Sequence, residues 1–587
     1  MRNFLKIFLA SFVALLVFSG FAFFFLLILI GTATAPKKTV IGANAVLVLE
    51  TSQAYKEQHV SGNPLNSYIG RPDDAATGLY DAVRLLRHAA YDDKIKGIYI
   101  KVDGNAAGFA TNEELRNALL DFKKTGKFIY AYGEVMSQHA YYLASVADKI
   151  YLNPKGGLEF SGFAVQYAYL KGLLEKLEIE PQIFYDGKFK SATEPLRETQ
   201  MTEANRIQTT AFLSQLYGHY LSGIGAQRKI DTAALHQYAN EGLIQESADA
   251  LRYKLVDGLK YDDQVMDELR KKLNLDGKDG SVNFVSLNQY DKATDISATG
   301  DSKIALIYAQ GDIVGGNTDA EGKISSGAYL KMIRKAREDE DVKAIVFRVN
   351  SGGGSALASE VIWRELTLAR KVKPVVVSMG DYAASGGYYI SCMADSIFAQ
   401  PNTLTGSIGV FAVLPNLGGF FKNKLGVTFD GVKTAQYADL GTVSRPMTDG
   451  EKHLMQQGVD STYAAFKSRV VAGRRLSGAV VDSIAQGRVW SGEDAKRIGL
   501  VDRIGGIDEA IKCAAKLAHA GTYELREYPS VKDPLTRFFS HFGDDESSTR
   551  ILKRELGENY DLYMRIKHLK EMSGQVEAKM PFDLLFN

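Results

Sequence analysis

Short runs of β-branched and aromatic residues alternate with longer amphipathic stretches along most of the chain. Three such runs lie between residues 45 and 132, and three more lie between residues 304 and 379. They read AVLVLE, GIYIKV and KFIYAY, and then IALIYAQ, AIVFRV and PVVVSM. Between the first two runs, TGLYDAVRLLRHAAYD has the apolar spacing of an amphipathic helix. Strands that alternate with helices predict an α/β fold with a parallel sheet.

The pattern differs at the amino terminus, where residues 7–31 contain no charged side chain. As a helix this run would be about 37 Å long, enough to cross a bilayer. The run is longer than the apolar part of a signal peptide, and Pro36 directly follows the candidate cleavage motif ATA at 33–35. The sequence therefore predicts an uncleaved transmembrane anchor. The basic residues on either side favour a cytoplasmic amino terminus only slightly.

The remainder of the chain contains an internal duplication. DDKIKGIYIKVDG (92–104) matches DEDVKAIVFRVNS (339–351), and YGEVMSQHAYYLASVADKIYLNP (132–154) matches MGDYAASGGYYISCMADSIFAQP (379–401), both at an offset of 247 residues. A period of this length is too long for a solenoid and predicts two copies of one domain. We divide the chain into an amino-terminal anchor region (1–41), a first copy (42–275), a linker (276–302), a second copy (303–525) and a charged, helical carboxy-terminal tail (526–587).

Composition narrows the class of protein without identifying a chemistry. The 587 residues are 45% hydrophobic and 24% charged, and the net charge is +1, which is ordinary for globular domains and does not indicate nucleic-acid binding. The two cysteines, Cys392 and Cys513, form neither a disulfide framework nor a CxxC zinc motif. We expect no metal and no organic cofactor.

Two features of the second copy carry candidate chemistry, and the first copy lacks both. Ser385 follows the strand PVVVSM and precedes a predicted helix, whereas Gln138 stands at its position in the first copy. The three glycines at 352–354 form a strand-to-helix turn whose N–H groups can stabilise an oxyanion, and the first copy has IKVDGNAAG there. Their joint presence predicts a nucleophilic serine beside an oxyanion-binding turn.

A serine hydroxyl needs a base, and no histidine lies between His236 and His453. The loop FYDGKFKSATEPL (184–196) of the first copy offers Lys188 and Lys190 instead. In the second copy Gln436 or Tyr437 stands near the matching position. The copies have thus lost complementary residues, which predicts one site shared between them. The local sequence does not distinguish the two lysines.

The motifs NSGGGSALASE, MGDYAASGGYYISCMAD and TGSIGVF lie in the second of two tandem copies and GKFKSATEP in the first, behind an apolar amino-terminal segment. Over nearly the whole chain this arrangement resembles the long form of the signal peptide peptidase A (protease IV) family. The resemblance implies two tandem ClpP/crotonase-like domains and a serine endopeptidase with a Ser-Lys dyad. It also implies hydrophobic peptide substrates, cleaved signal peptides among them, and a homotetramer. The implied location is the bacterial inner membrane, crossed once, with most of the chain on the periplasmic side.

The resemblance also assigns roles to residues. It implies that Ser385 is the nucleophile, that Lys190 is the general base and that Ser407 orients the lysine amine. The implied oxyanion donors are Gly354 and Gly386, followed by Gly353. The family usually has a proline where this chain has Gly352, so the choice among the glycine N–H groups stays open.

A general base must be neutral, and at a pKa of 10.4 only about one lysine in 2,500 is neutral at pH 7. The resemblance therefore predicts that Lys190 is enclosed, because burial disfavours the charged amine. Pairing with Asp186 or Glu194, which are close in sequence, would keep the amine protonated and inactive.

Three other functions are compatible with parts of the sequence. A crotonase-like acyl-CoA enzyme would use the glycine turn but would not need Ser385. A non-catalytic membrane scaffold would not need the intact GGG and ASGG motifs of the second copy. A ClpP-like Ser-His-Asp protease would carry its histidine shortly after the serine, where this chain has none.

Overall fold

The computed structural model describes residues 2–33, 41–60, 77–105, 107–275, 280–294, 296, 300–530, 557 and 574–580. The first element is helix α1 (Arg2–Ala33). Among the described residues, no helix has both the length and the apolar character that a membrane crossing requires. The anchor at residues 7–31 therefore stays a prediction.

The first copy forms a parallel sheet of six strands. The strands are β1 (Ala45–Glu50), β2 (Ile95–Lys101), β3 (Phe128–Met136), β4 (Lys149–Leu158), β6 (Gly258–Leu259) and β7 (Asn283–Ser286). Their order across the sheet is β6-β4-β3-β2-β1-β7. The central strands are buried on both faces, which explains their continuous apolar runs.

Helices and short turns connect and cover these strands. Their bounds are α2 (Leu79–Tyr91), α3 (Phe109–Lys123), α4 (Gln138–Ala144), α5 (Lys171–Lys176), α6 (Glu194–Arg197), α7 (Glu203–Arg228), α8 (Thr232–Asn240), α9 (Ser247–Arg252), α10 (Asp262–Lys272) and α11 (Leu287–Ala293). Helix α2 is the one that the apolar spacing predicts, and its buried leucines at 79, 85 and 86 face the sheet core.

The second copy repeats this plan. Its sheet contains β8 (Ser302–Gln310), β11 (Val342–Ser351), β13 (Val375–Ala384), β14 (Ser396–Ala399), β15 (Leu404–Gly406), β17 (Val489–Ser491), β18 (Arg503–Ile504) and β19 (Tyr523–Tyr528). The order is β17-β15-β13-β11-β8-β19, and β14 pairs with β13 and β18. The run β13-β11-β8 corresponds to β3-β2-β1, so the six predicted strands and the duplication are confirmed.

The helices of the second copy pack on this sheet. They are α12 (Ser326–Glu338), α13 (Ala356–Arg370), α14 (Gly386–Tyr389), α15 (Asp449–Arg474), α16 (Gly478–Ile484), α17 (Gly492–Arg497) and α18 (Ile507–Leu517). The largest apolar cluster combines the side chains of α12, α13 and α15 with those of β11 and β13.

A third sheet joins the two copies. Its strands are β5 (Glu180–Asp186), β9 (Asp312–Val314), β10 (Lys323–Ser325), β12 (Gly353–Ser355), β16 (Val410–Asn416) and β20 (Val576–Lys579). The order is β10-β9-β12-β20-β16-β5. Strand β5 belongs to the first copy and pairs antiparallel with β16 of the second, from Asp186 opposite Val410 to Glu180 opposite Asn416. This pairing carries the loop after β5 into the second copy.

The predicted linker and the predicted tail both contribute strands to the sheets. The linker at 276–302 contains β7 and α11, and β7 completes the first sheet by pairing with β1. In the tail at 526–587, the described residues contribute the end of β19 and all of β20. The helical pattern at 549–572 lies outside the described residues apart from Gly557.

Candidate active site

Ser385 lies at the junction between β13, which ends at Ala384, and α14, which begins at Gly386. Its backbone has φ 54° and ψ −113°, a left-handed conformation that costs a non-glycine residue on the order of 1–3 kcal/mol. The Ser385 N–H donates to the carbonyl oxygen of Gly406 at 2.8 Å, which holds the turn in place. The side chain is fully buried. A serine held in this strained turn is a candidate nucleophile.

The glycine turn lies against Ser385 because its backbone can approach closely. Gly353 and Gly354 have φ 104° and 150°. A Cβ on Gly353 would overlap the carbonyl oxygen of Ala578 and lie 2.7 Å from the backbone nitrogen of Gly386. The N–H of Gly353 donates to Ser351 Oγ at 3.1 Å, so it is already engaged. A Cβ on Gly352, by contrast, would meet only an ordinary contact at 3.8 Å.

Lys190 lies in the loop that follows β5, and contacts with the second copy fix that loop. The N–H of Phe189 donates to the carbonyl oxygen of Gln486 at 2.7 Å. The next residue, Gly487, has φ 74°, and a Cβ there would lie 2.7 Å from the backbone nitrogen and the Cβ of Lys190. On the other side, Gln208 Nε2 donates to the Phe189 carbonyl at 3.0 Å. Lys190 thus enters the site from the first copy and is positioned by the second.

The structure brings three of the predicted residues into direct contact. Lys190 Nζ lies 2.8 Å from Ser385 Oγ, 3.2 Å from Ser407 Oγ and 3.3 Å from the Ser407 carbonyl oxygen. The exposed fraction is 1% for Lys190 and 0% for both serines. The amine therefore has a hydroxyl within proton-transfer distance and a second hydroxyl that fixes its direction.

The electrostatics of the site favour a neutral amine. Burial lowers the pKa of Lys190 well below its usual value, and the Glu577 carboxylate partly opposes this shift. Within the described part of the chain, Lys190 forms no salt bridge: the Glu194 carboxylate instead accepts hydrogen bonds from Thr202 and from Asn205 Nδ2 at 2.9 Å. Burial also raises the pKa of the Asp186 carboxyl, and raises that of Glu577 to about 7.

Lys188, the other candidate base, and Gln138, the counterpart of Ser385 in the first copy, are not part of this site. Lys188 is exposed, and its Nζ lies 5.8 Å from the centre of the Phe189 ring. In the first copy, Gln138 is buried at the position that matches Ser385, and its Nε2 donates to the Gly162 carbonyl at 2.8 Å. The structure thus distinguishes the two candidate lysines, because Lys190 is buried beside Ser385 and Lys188 is exposed.

Sequence reasoning missed the contributions of β20, Gly487 and Gln208 to this site. Strand β20 pairs with the glycine turn on one side and with β16 on the other, and its Glu577 carboxylate partly opposes the lowering of the Lys190 pKa. The four residues VEAK give no strand pattern of their own, because β20 exists only through pairing with distant strands. Gly487 acts through close packing against Lys190 and Gln208 through its hydrogen bond to the Phe189 carbonyl, and a single sequence encodes neither contact in a local signal.

Comparison with known proteins finds a matching family and several relatives. The model of Peptidase family S49 matches residues 121–276 and again 367–521. The chain is 36% identical to "Protease 4" of Salmonella typhi, covering 86% of this chain and 83% of that protein. It is 33% identical to "Protease 4" of Haemophilus influenzae, covering 91% and 88%. Among solved structures, a ClpP1 mutant of Listeria monocytogenes is 15% identical over 35% of this chain and 94% of that chain, with a TM-score of 0.24.

Proposed function

The chain belongs to peptidase family S49 and is a serine-type protease, and we propose that Ser385 and Lys190 form its catalytic dyad. The observation that carries the proposal is the 2.8 Å separation of Lys190 Nζ and Ser385 Oγ inside a buried site. The lowered pKa of Lys190 supports it, since only the neutral amine can accept a proton from the serine hydroxyl.

The reaction proceeds by acyl transfer. Lys190 accepts the Ser385 proton as Oγ attacks the peptide carbonyl, and the resulting ammonium donates a proton to the leaving amine. Water, deprotonated by the same lysine, then hydrolyses the ester. Ser407 and its carbonyl oxygen hold the amine towards Ser385 throughout, because both lie within 3.3 Å of Nζ.

The oxyanion donors in this proposal are the N–H groups of Gly386 and Gly354. Gly386 is the first residue of α14, where the backbone N–H is not used within the helix. Gly353 is the weaker candidate because its N–H donates to Ser351 Oγ. Two donors of this kind stabilise the tetrahedral intermediate by several kcal/mol, about 2.7–4 kcal/mol for each donor removed in other proteases.

The proposed substrates are hydrophobic peptides in extended conformation, such as cleaved signal peptides. A peptide that occupies the position of β20 would gain antiparallel pairing from β12 on one side and β16 on the other. The strands β9 and β16 supply buried apolar side chains at this position, among them Ile313, Val410 and Ala412. These apolar side chains would favour substrates with apolar residues.

Membrane attachment and assembly belong to the same proposal. A bilayer would cover the apolar side chains of α1, of which Phe18 is 72% and Phe21 73% exposed. With this span at residues 7–31, both catalytic residues lie on one side of the inner membrane, the periplasmic side by resemblance. A homotetramer, also proposed by resemblance, would cover the exposed apolar residues of the 425–432 segment, where Val432 is 100% exposed.

The test is hydrolysis of a fluorogenic apolar peptide by the detergent-solubilised protein. Ser385→Ala should reduce kcat/KM by about 10⁴-fold or more, because the nucleophile is lost. Ser391→Ala is the matched control: this serine is equally buried in the same region, and its Oγ donates to the Gly387 carbonyl at 2.6 Å. Full activity of Ser385→Ala, or equal losses in both variants, would contradict the proposal.

A further inference from the structure

Gln208 lies on helix α7 of the first copy and is enclosed where that helix meets the second copy. Its side chain is 1% exposed. Its Nε2 atom lies 3.0 Å from the carbonyl oxygen of Phe189 and from Ser191 Oγ, and its Oε1 accepts from the N–H of Val489 at 3.2 Å. Exchange of the two amide atoms would set oxygen against oxygen and N–H against N–H, so the contacts define one orientation. A single buried amide therefore joins the lysine loop of the first copy to strand β17 of the second.

The contact with Phe189 fixes the peptide unit that precedes Lys190. The Phe189 carbonyl and the Lys190 N–H belong to the same planar peptide group. Gln208 holds the oxygen of this group, and the Gly187 carbonyl accepts its N–H at 3.0 Å. Because both ends are held, the peptide plane is fixed. The direction in which the lysine side chain leaves the backbone is thereby fixed as well.

The contact with Val489 leads to both serines of the site. Val489 begins β17 and lies opposite Gly406 of β15 in an antiparallel pair. The Gly406 carbonyl accepts the Ser385 N–H at 2.8 Å. The next residue, Ser407, donates its N–H to the Arg488 carbonyl at 2.7 Å. The same amide thus reaches the lysine backbone and the strand pair that holds the two serines.

The duplication connects this amide with the lysine. Helix α7 and its counterpart α15 both begin after a threonine cap, Thr202 in the first copy and Thr448 in the second. Six residues beyond the cap, the first copy has Gln208 and the second copy has Leu454, which is 40% exposed. A buried amide must find hydrogen-bond partners, and the lysine loop and β17 supply them only at the first of these positions. The copy that provides the lysine is also the copy that provides the glutamine.

We propose that Gln208 is a positioning residue for the dyad, an inference that rests on the proposed function. Its amide holds the lysine backbone at the spacing from β15 and β17 at which Nζ lies 2.8 Å from Ser385 Oγ and 3.2 Å from Ser407 Oγ. Without it, the Phe189 carbonyl and the Val489 N–H would each lose a buried hydrogen bond, and the loop would move until water satisfied them. The amine would then lie farther from Ser385 and would be more hydrated. Both changes act on the chemical step and leave β12 and β16, the strands proposed to bind the peptide, in place.

The experiment measures kcat, KM and the pH profile of kcat/KM for hydrolysis of a fluorogenic apolar peptide by the detergent-solubilised full chain. Gln208→Met keeps the length of the side chain and removes both hydrogen bonds. We expect kcat to fall about 10- to 100-fold, with KM changed by less than about twofold. The midpoint of the pH profile should move to higher pH, because a more hydrated Lys190 holds its proton more tightly. The Glu577 carboxylate, which also acts on this amine, is the same in wild type and variant.

A second variant and a matched control complete the experiment. Gln208→Asn keeps the amide but is one methylene shorter, so it cannot reach both the Phe189 carbonyl and the Val489 N–H. It should show the same changes as Gln208→Met, reduced in size. Gln182→Met is the control: Gln182 is also buried, and its Oε1 accepts from the Met447 N–H at 2.7 Å, just before α15. This variant should lower the melting temperature while kcat and the pH midpoint stay close to wild type.

A folded Gln208→Met variant with wild-type kcat and pH midpoint would overturn the inference, and if that variant does not fold, the same result for Gln208→Asn would do so. Equal losses in Gln182→Met, or a loss of kcat with an unmoved midpoint, would also overturn it, since either indicates a general loosening of the fold. In these cases the proposed function stands as long as Ser385→Ala and Lys190→Ala show their expected losses in the same assay. Wild-type activity in those two variants would contradict the proposed function itself.

Discussion

The protonation state of Lys190 governs the proposed chemistry at the scale of single residues. An ammonium has no lone pair with which to take the Ser385 proton. The protein disfavours the ammonium by enclosing the side chain and by engaging Glu194 elsewhere, with Asn205 and Thr202. The two serine hydroxyls and one carbonyl around Nζ supply direction without a full opposing charge. A lysine can act as a base here because these contacts are polar but neutral.

One prediction concerns the pH dependence of activity. An amine is neutral above its pKa, so kcat/KM should rise with pH as Lys190 loses its proton. Because burial lowers that pKa, the rise should be complete well below pH 10.5, the ordinary value for lysine. Measurement of kcat/KM across pH with a non-ionising peptide checks this. A rise centred near pH 10.5, or a flat profile, would disagree.

A second prediction concerns stability. The folded state holds Lys190 with a lowered pKa, so the unfolded chain binds more protons below pH 10.5 and is favoured there. Replacing the amine by an apolar side chain of similar length removes this cost. Lys190→Met should therefore raise the melting temperature at pH 7, and the gain should shrink as the pH approaches 10.5. Thermal unfolding at several pH values measures it, and a gain that grows with pH would contradict the assignment.

At the scale of elements, the site depends on one antiparallel pairing and one close approach between loops. The pairing of β5 with β16 carries the lysine of the first copy into the second. The loop at 486–487 then holds the lysine backbone through the hydrogen bond from Phe189 and through direct contact at Gly487. Since the lysine is placed by its backbone, a small shift of that loop should misalign its amine.

The third prediction tests that contact with Gly487→Ala. The new Cβ would lie 2.7 Å from Lys190 backbone and side-chain atoms, so the lysine must move. A misplacement of this size should lower kcat by about 10- to 100-fold. Gly499→Ala is the control, because Gly499 has a similar φ of 83° in the same copy but a Cβ there would approach a leucine side chain, at 3.3 Å, and not the lysine. Peptide hydrolysis and melting temperature, measured together, separate misalignment from strain. Equal activity losses in both variants would point to strain alone.

Much of this element plan can be predicted from the sequence, and the limits have physical causes. Periodicity and the internal repeat predict the six central strands, because buried parallel strands carry their own apolar runs. Ser385 and the glycine turn stand out because the first copy differs at both. Strands β7 and β20 are short and polar and form through long-range pairing, so their sequences were interpreted as linker and tail. The choice of Lys190 over Lys188 required the resemblance to a family, since only burial distinguishes them.

At the scale of the whole molecule, a buried ion network connects the two copies behind the site. Arg348 of the second copy is fully buried, and its guanidinium lies 2.7 Å from Glu57 and 2.8 Å from Glu114, both of the first copy. Asp381 adds a second link by accepting hydrogen bonds from the N–H groups of Ala110 and Thr111 at the start of α3. These contacts fix the copies relative to each other, which a dyad divided between them requires.

The fourth prediction follows from this network. Arg348→Met leaves two buried carboxylates without their cation and should lower the free energy of unfolding by about 3–5 kcal/mol. Arg526→Met is the matched control, because Arg526 pairs with Asp339 at a partly exposed position and should cost at most about 1 kcal/mol. Urea unfolding of both variants measures the difference. Similar small losses would show that the network does not hold the copies together.

In the proposed site the base for Ser385 comes from the other copy, and kcat/KM of Lys190→Ala tests this arrangement most directly. Removal of a general base should lower kcat/KM by about 10²- to 10⁴-fold in a variant that is still folded at the assay temperature. Lys188→Ala, which removes an exposed lysine two residues away, should leave kcat/KM close to wild type. A Lys190→Ala variant with wild-type activity, or a loss confined to Lys188→Ala, would contradict the dyad.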